Sequence, residues 1–427
     1  MARVFVSFLG MGGKDGYNPT VYSFRGKPLA STSFVQRALM EEDAYGPAYF
    51  DRLLILVTRS SREKNWAKLE AELTVVGVDR SRVTVAEISE DLASEAEHWA
   101  WFERVLAFLD AGDDLVLDLT HGFRIVPIVL SAAVGYLQVA KAVRLEAVLY
   151  GADQSGGQIV DFKGFYRVNA WADAVSRLVE KADADKLAAL AEGDEGRQFP
   201  NLRDPELIRA LRDLSGILTN IDVHAVAGRA RTAVALVRQR MDLAEGAERQ
   251  MLSLVADKFV GLVSDVPPDG KYSGAYLDVQ IEVARMLLEH GLHMQAYTVM
   301  RELVGSIGML GLVGTKYHKV ASSAEGRKYR ARFAEAFIAM VNYDREKWAF
   351  NDERQRDVLT LTPWFERLGD LGMMPDLAGA SRALVTIRNG FDHAWTGVSA
   401  PADSNALGQH GAEVLGRLEA VVAGLAA

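Results

Sequence analysis

The run Leu115-Val116-Leu117-Asp118-Leu119-Thr120-His121-Gly122-Phe123-Arg124, followed by residues 125–139, decides the fold. Its first five residues are apolar on both faces apart from Asp118, the pattern of a strand buried in a parallel sheet. Thr120-His121-Gly122 ends the strand, and residues 125–139 carry helical spacing. A buried strand feeding a helix through a short polar loop is the repeating unit of an α/β layer.

The same unit recurs on either side. Val4-Phe5-Val6-Ser7-Phe8-Leu9 reads as a buried strand closed by a glycine loop, Gly10-Met11-Gly12-Gly13-Lys14-Asp15-Gly16. Thr20-Val21-Tyr22-Ser23-Phe24, Leu53-Leu54-Ile55-Leu56-Val57-Thr58, Val83-Thr84-Val85-Ala86-Glu87-Ile88 and Leu145-Glu146-Ala147-Val148-Leu149-Tyr150 read as further strands. Residues 63–75 and 93–109 read as helices between them. Residues 1–165 are therefore expected to form a doubly wound, Rossmann-like domain with a parallel sheet.

From residue 170 onward only helical periodicity is present. Helices are expected over 172–190, 205–217, 225–262 (as one or more), 274–290, 293–308, 326–341, 378–388 and beyond, and 405 to the end. Val266-Pro267-Pro268-Asp269-Gly270 is the strongest loop signal. It separates a helical linker, 166–268, from a helical domain, 269–427. The fold class is thus α/β plus all-α.

Composition narrows the chemistry. The 427 residues contain no cysteine, which removes disulfides, thiol nucleophiles and cysteine metal sites. No apolar run is long enough to span a bilayer, and Met1-Ala2-Arg3-Val4 enters a strand with no leader, so a cytoplasmic protein is expected. A net charge of −9 argues against coating nucleic acid, but not against a local cleft that holds a few phosphates. No P-loop, Gly-x-Ser-x-Gly elbow or histidine–carboxylate metal cluster is present, and no metal is expected.

Two groups of residues carry chemistry. Ligands of open α/β sheets bind beyond the carboxyl ends of the strands. The loops there hold Gly10 to Gly16, Thr58-Arg59-Ser60-Ser61, Thr120-His121-Gly122-Phe123-Arg124 and Tyr150-Gly151. Glycines allow close approach, helix N-termini favour anions, and Arg59 and Arg124 suit phosphate. The same features also fit plain turns, a structural histidine and a helix-end ion pair.

The second group is Ile387-Arg388-Asn389-Gly390-Phe391-Asp392-His393. RNA cleavage without a metal needs a proton acceptor or donor and a cation on the phosphate. Histidine and arginine supply these, and Asn389 is placed to orient either. The spacing equally fits a surface ion pair between Arg388 and Asp392. Arg285 and His290 share the spacing, but His290 reads as a helix C-terminus before Gly291. Lys316, Lys319, Arg327, Lys328, Arg330 and Arg332, interleaved with Tyr317, His318 and Tyr329, suit single-stranded RNA or a solvated face.

Asp118 to Arg124 closely resembles a signature of the CRISPR-associated Rossmann-fold (CARF) domain. The opening strand with its glycine loop, Gly16-Tyr17-Asn18-Pro19-Thr20-Val21-Tyr22, and Val57-Thr58-Arg59 with Glu63-Lys64-Asn65-Trp66 resemble that family too. The Arg388 to His393 run resembles the arginine–histidine motif of HEPN ribonucleases. The resemblance is to the CARF–HEPN accessory ribonucleases of type III CRISPR systems.

That resemblance implies a homodimer, or a higher homo-oligomer, that binds cyclic oligoadenylate and then cuts single-stranded RNA without a metal or other cofactor. Cyclic tetra-adenylate is the expected activator, and no membrane partner is implied. Gly10, Met11, Gly12, Thr58, Arg59, Ser60, Thr120, His121, Gly122 and Arg124 would line the messenger pocket. Arg388, Asn389 and His393 would be the catalytic set, completed across the dimer axis, and Glu302 would match an acidic residue of related bundles. Two other readings stand beside it. In one, the pocket itself degrades the messenger. In the other, the chain is a non-enzymatic, ligand-sensing regulator whose helical half binds protein or DNA, with Arg229, Arg231, Arg238 and Arg240 forming a basic stretch.

Overall fold

Continuous apolar strands and amphipathic helices produce two differently built halves. The computed structural model describes residues 1–427 apart from 15, 91–93, 123–125, 153–155, 194–198, 265–271, 323–325, 349–351, 397–403 and 427. The chain divides into two units, Met1–Ala170 and Trp171–Ala427. Among the described residues no helix is long and apolar enough to cross a membrane.

The first unit opens with β1 (Arg3–Leu9), β2 (Thr20–Phe24), β3 (Lys27–Thr32), α1 (Val35–Leu39) and β4 (Arg52–Val57). Then come α2 (Arg59–Ser61), a π-turn (Arg62–Trp66), α3 (Ala67–Val75), β5 (Val83–Glu87) and α4 (Glu95–Phe108). It closes with β6 (Asp114–Asp118), α5 (Val126–Ala140), β7 (Arg144–Ala152) and β8 (Gln158–Asp161). The sheet order is β3-β2-β8-β7-β6-β1-β4-β5.

The run β7-β6-β1-β4-β5 is parallel, as expected. The other edge is not: β8 lies antiparallel to β7, and β3 antiparallel to β2. The period of two sorts β1 onto both faces. Phe5 and Leu9 pack with Phe34, Leu39 and Phe50, while Val4, Val6 and Phe8 pack with Trp101, Val105 and Leu137. Burial of both faces is why β1, β4 and β6 are apolar throughout. β3 and β8 escape a hydrophobicity reading because they lie at or near the antiparallel edge and bury few residues, Leu29 and Thr32 in β3 and Ile159 in β8.

The second half follows as α6 (Lys163–Lys181), which crosses the division, then α7 (Asp185–Glu192), α8 (Pro205–Asn220), α9 (Val223–Leu243) and α10 (Gly246–Phe259). It continues with α11 (Gly274–Glu289), α12 (His293–Leu310), α13 (His318–Ser322), α14 (Gly326–Asn342), α15 (Asp352–Asp370), α16 (Met374–Asp392) and α17 (Ser404–Ala426). The single helix expected over 172–190 is two, because Ala182 turns left-handed at φ 52° and ends α6. The span 225–262 likewise breaks between α9 and α10. Helix α15 was not expected; it is highly polar and holds Pro363 in its interior. The expected boundary at 266–270 lies outside the described residues.

Local signals explain the helix ends that are sharp. Asp204 caps α8 by accepting from Glu206 N at 3.1 Å and Leu207 N at 2.9 Å, with Pro205 in the first turn. Asp222 caps α9 by accepting from Ala225 N at 3.3 Å. Close helix packing explains a glycine: a Cβ on Gly308 of α12 would lie 2.3 Å from the Phe337 ring of α14.

Two glycine substitutions should therefore move in opposite directions. Gly308→Ala should lower stability by about 1–3 kcal/mol through overpacking. Gly216→Ala, on an exposed turn of α8 with open space around it, should raise stability by about 0.5–1 kcal/mol. Urea unfolding followed by circular dichroism checks both, and equal effects at the two sites would contradict the packing described.

Candidate functional site

Strand order fixes where a ligand can enter. After an excursion from β1 to β2 and β3 at the far edge, the chain builds β4 and β5 outward on one side of β1, whereas β6 lies on the other side and leads to β7. Connections that diverge in this way open a crevice beyond the carboxyl ends of the two central strands. The glycine loop follows β1 and Thr120-His121-Gly122 follows β6, so both sit at that crevice. Thr58-Arg59-Ser60 follows β4, the next strand along.

Beneath the crevice lies a buried polar network. Asp118, fully buried at the end of β6, accepts from Ser7 Oγ at 2.6 Å, Thr120 Oγ1 at 2.6 Å and Thr120 N at 3.1 Å. Burial pushes its pKa up, and these hydrogen bonds oppose the shift. Ser7 in turn accepts from Gln36 Nε2 of α1 at 2.9 Å, and Thr120 Oγ1 accepts from Gly151 N of β7 at 2.8 Å. Four segments are thereby tied together under the pocket floor.

The glycine loop lies directly on the next turn. A Cβ on Gly10 would fall 2.7 Å from His121 O and 2.9 Å from the Tyr17 hydroxyl. Gly12 sits at φ 67°, where a Cβ would meet Gly16 C at 2.6 Å. Gly13 and Gly16 close the loop with reciprocal backbone hydrogen bonds of 2.8 and 3.1 Å. From below, Asn65 Nδ2 donates to Gly10 O at 2.8 Å and Met11 O at 3.2 Å, while Lys64 Nζ donates to Gly13 O at 2.8 Å. Both belong to the π-turn, a device frequent at functional sites. Met11 is 38% exposed at the rim.

His121 rests on Tyr17, with ring centroids 4.1 Å apart. Its Nε2 accepts from Val35 N at 3.4 Å, which leaves Nδ1 to carry the proton of the neutral ring. Dense packing pushes its pKa down to about 4. Burial pushes the Tyr17 phenol up to about 12, against hydrogen bonds with the Gly10 and Gly12 backbone. The two rings are therefore neutral at physiological pH and offer stacking and hydrogen bonding rather than charge.

Thr58 caps the helix after β4: its Oγ1 accepts from Ser61 N at 3.2 Å, and Ser61 Oγ accepts from Thr58 N at 2.9 Å. Ser60 N donates to the Glu90 carboxylate at 2.8 Å, so an anion already sits on this N-terminus. Hydrogen bonds from Ser60 hold the Glu90 carboxyl below its ordinary range. Arg59 is exposed, 3.4 Å from Glu63, and with Arg62 and Trp66 lines a cleft of about 500 Å³. Gly122 N donates to Leu119 O at 3.3 Å, closing the turn after β6. Arg124 lies outside the described residues.

Gly10, Met11, Gly12, Thr120, His121 and Gly122 thus gather at one crevice, and Thr58, Arg59 and Ser60 stand one strand away. Sequence reasoning left out Tyr17, Asn65 and Glu90. The first two stood in quoted motifs, and no local pattern marks Glu90.

The second candidate occupies the C-terminal end of α16. Arg388 is 43% exposed and its Nε is 3.4 Å from Asp392 Oδ2, the ion pair that the plainer reading expected. Asn389 and His393 are exposed, and His393 caps the helix with φ −108° and ψ 18°. On an ideal helix, positions five apart point about 140° away from each other. Arg388 and His393 therefore do not form a convergent pair along one helix face.

Elsewhere in the helical half, several of the charges that the sequence singles out are engaged in pairs. Glu302 pairs with Arg330 at 2.6 Å, Arg301 with Glu335 at 2.6 Å, and Arg332 makes two 2.6 Å bonds to the buried Asp357. In α9, Arg229 faces Asp213 at 3.5 Å, Arg240 faces Asp204 at 2.8 Å, and Arg231 donates to Ser264 O.

The sequence matches no protein-family profile and no curated protein. Among solved structures, it is similar to Enterococcus italicus Csm6 bound to cyclic hexa-2′-fluoro-hexa-dAMP. The match has 11% identity and a TM-score of 0.47, and covers 99% of this chain and 94% of that one.

The His121 shift has a definite sign. A ring whose folded pKa lies below its ordinary 6.5 refuses a proton that the unfolded chain accepts. Its contribution is fully present above pH 6.5, is lost as the pH falls toward 4, and amounts to at most about 3 kcal/mol. Between pH 7 and pH 5 the first unit of wild type should lose more thermal stability than that of His121→Gln. Parallel pH profiles would show that His121 is not held neutral.

Proposed function

We propose that this chain is an endoribonuclease switched on by cyclic oligoadenylate, with cyclic tetra-adenylate as activator, acting in antiviral defence. The observation that carries the reading is the prebuilt crevice at the switch point of the sheet. There the glycine loop and the His121 turn meet over the buried Asp118 network. Its features suit a ligand with several phosphates and adenines. Gly10 and Gly12 admit close backbone approach, neutral Tyr17 and His121 offer π faces, and the Ser60 amide holds an anion. A phosphate on that amide takes the place of Glu90.

The motif that resembles HEPN ribonucleases supplies the chemistry. A ribose 2′-hydroxyl attacks the adjacent phosphorus, and the bond to the 5′-oxygen of the next nucleotide breaks. His393 moves a proton, as general base to the 2′-oxygen or general acid to the leaving 5′-oxygen. Arg388 holds the phosphate oxygens as charge develops. Asn389 orients one of the two. The products carry a 2′,3′-cyclic phosphate and a 5′-hydroxyl, and no metal enters the balance.

The angular separation of Arg388 and His393 on one chain supports a site completed by a second copy, and hence a homodimer. The exposed Arg388–Asp392 pair is no obstacle. Such pairs contribute about 0–1 kcal/mol and exchange readily for a phosphate.

Incubating single-stranded RNA in EDTA with cyclic tetra-adenylate tests the chemistry. Wild type should yield 2′,3′-cyclic phosphate ends, and His393→Ala and Arg388→Ala should each cut about a hundredfold more slowly or worse. Ends bearing 3′-hydroxyls that appear only with magnesium would refute the mechanism. So would a His393→Ala variant as fast as wild type.

A further inference from the structure

The backbone just after His393 is unusual. Ala394 and Trp395 are consecutive non-glycine residues with positive φ, 47° and 60°. Such conformations are costly and persist only where surrounding contacts enforce them. Here the enforcing contact is visible. Trp395 N donates to Gly390 O at 2.7 Å, folding the chain back over the last turn of α16. The indole then lies on Gly390, where a Cβ would come 2.1 Å from Trp395 Cζ3 and 2.3 Å from Cε3. Gly390 itself has no positive φ, so the indole rather than the backbone demands a glycine there.

His393 sits inside this fold-back. Its N donates to Asn389 O at 3.1 Å, and its carbonyl accepts from Thr396 N at 3.0 Å and Thr396 Oγ1 at 2.7 Å. The clamp is anchored to the bundle through aromatic rings. Trp395 meets Phe391 at 5.2 Å, and Phe391 meets Tyr297 of α12 at 6.0 Å. Tyr297 is buried and donates to Leu407 O of α17 at 3.0 Å. A carbonyl in α17, a tyrosine in α12 and a phenyl ring in α16 thus lead to one indole that closes the turn.

We propose that Trp395, seated on Gly390, is the positioning residue that fixes His393 for proton transfer. The proposal rests on the ribonuclease reading for its consequence, but not for its geometry. Without the indole the helix end is free to fray, and the backbone that carries His393 is no longer held in place. Misplacing a proton-transfer group by about 1 Å lowers rates by about a hundredfold. Gly390 and Trp395 act as one unit, so disturbing either should have the same result.

The experiment compares wild type with Trp395→Ala, Trp395→Phe and Gly390→Ala in the full chain. Three quantities are read: single-turnover RNA cleavage with cyclic tetra-adenylate in EDTA, the thermal midpoint, and the His393 imidazole NMR signal in protein carrying 13C-labelled histidine. The signal is assigned by its absence in His393→Gln. Trp395→Ala and Gly390→Ala should cut about a hundredfold more slowly, with the His393 signal moved to the position of a free histidine and little change in thermal midpoint. Trp395→Phe should retain the signal and stay within about tenfold of wild type. If wild type cuts no RNA, the ribonuclease reading fails and the NMR signal alone judges the clamp. A His393 signal unmoved in Trp395→Ala overturns the proposal.

Discussion

A buried carboxyl must be hydrogen-bonded, and Asp118 meets that demand with three bonds from Ser7 and Thr120. The rest of this edge of the sheet depends on this arrangement. Ser7 lies on the central strand, Thr120 opens the turn after β6, and Thr120 also receives Gly151 N from β7. Gln36 adds α1 by donating to Ser7 Oγ and Phe8 O. Three strands are thereby locked in register where their exit loops diverge. Only then can the glycine loop lie against His121 O with no room for a Cβ at Gly10.

The parallel core was legible because burial on both faces forces uninterrupted apolar runs, as in Leu53 to Val57 and Leu115 to Leu117. The antiparallel edge was not. β3 buries only Leu29 and Thr32, β8 buries only Ile159, and Pro28 in β3 weakens the pattern further. In the helical half, Asp204-Pro205 announced α8, whereas the polar sequence and Pro363 of α15 concealed it. The break after α6 was illegible because Ala182 turns left-handed without a glycine. For the crevice, the motif residues were readable but their assembly was not. Glu90 reaches Ser60 across thirty residues, and Asn65 reaches Gly10 through a π-turn that no periodicity predicts.

The two candidate sites differ in how they are prepared. The crevice is preorganised: its loops are capped, its polar floor is hydrogen-bonded, and its aromatic rings are held neutral by packing. The turn after α16 is exposed, with Arg388 directed to Asp392 and only its backbone held by Trp395 and Thr396. Preorganisation at the crevice suits selective ligand binding, because little ordering remains to oppose it. In the proposed function, an exposed motif that is incomplete in one copy suits an enzyme whose activity is conditional on what joins it. A ligand shifts such an equilibrium only by its differential affinity for the two states.

Coupling between the two sites is the account's central claim, and one paired titration addresses it. Cyclic tetra-adenylate is added to the full-length protein while binding is followed calorimetrically and cleavage of labelled RNA is followed in EDTA. The account predicts that the cleavage rate climbs from near zero in step with sensor occupancy and levels off when the sensor is full. A sensor that saturates while the cleavage rate stays where it began would contradict it.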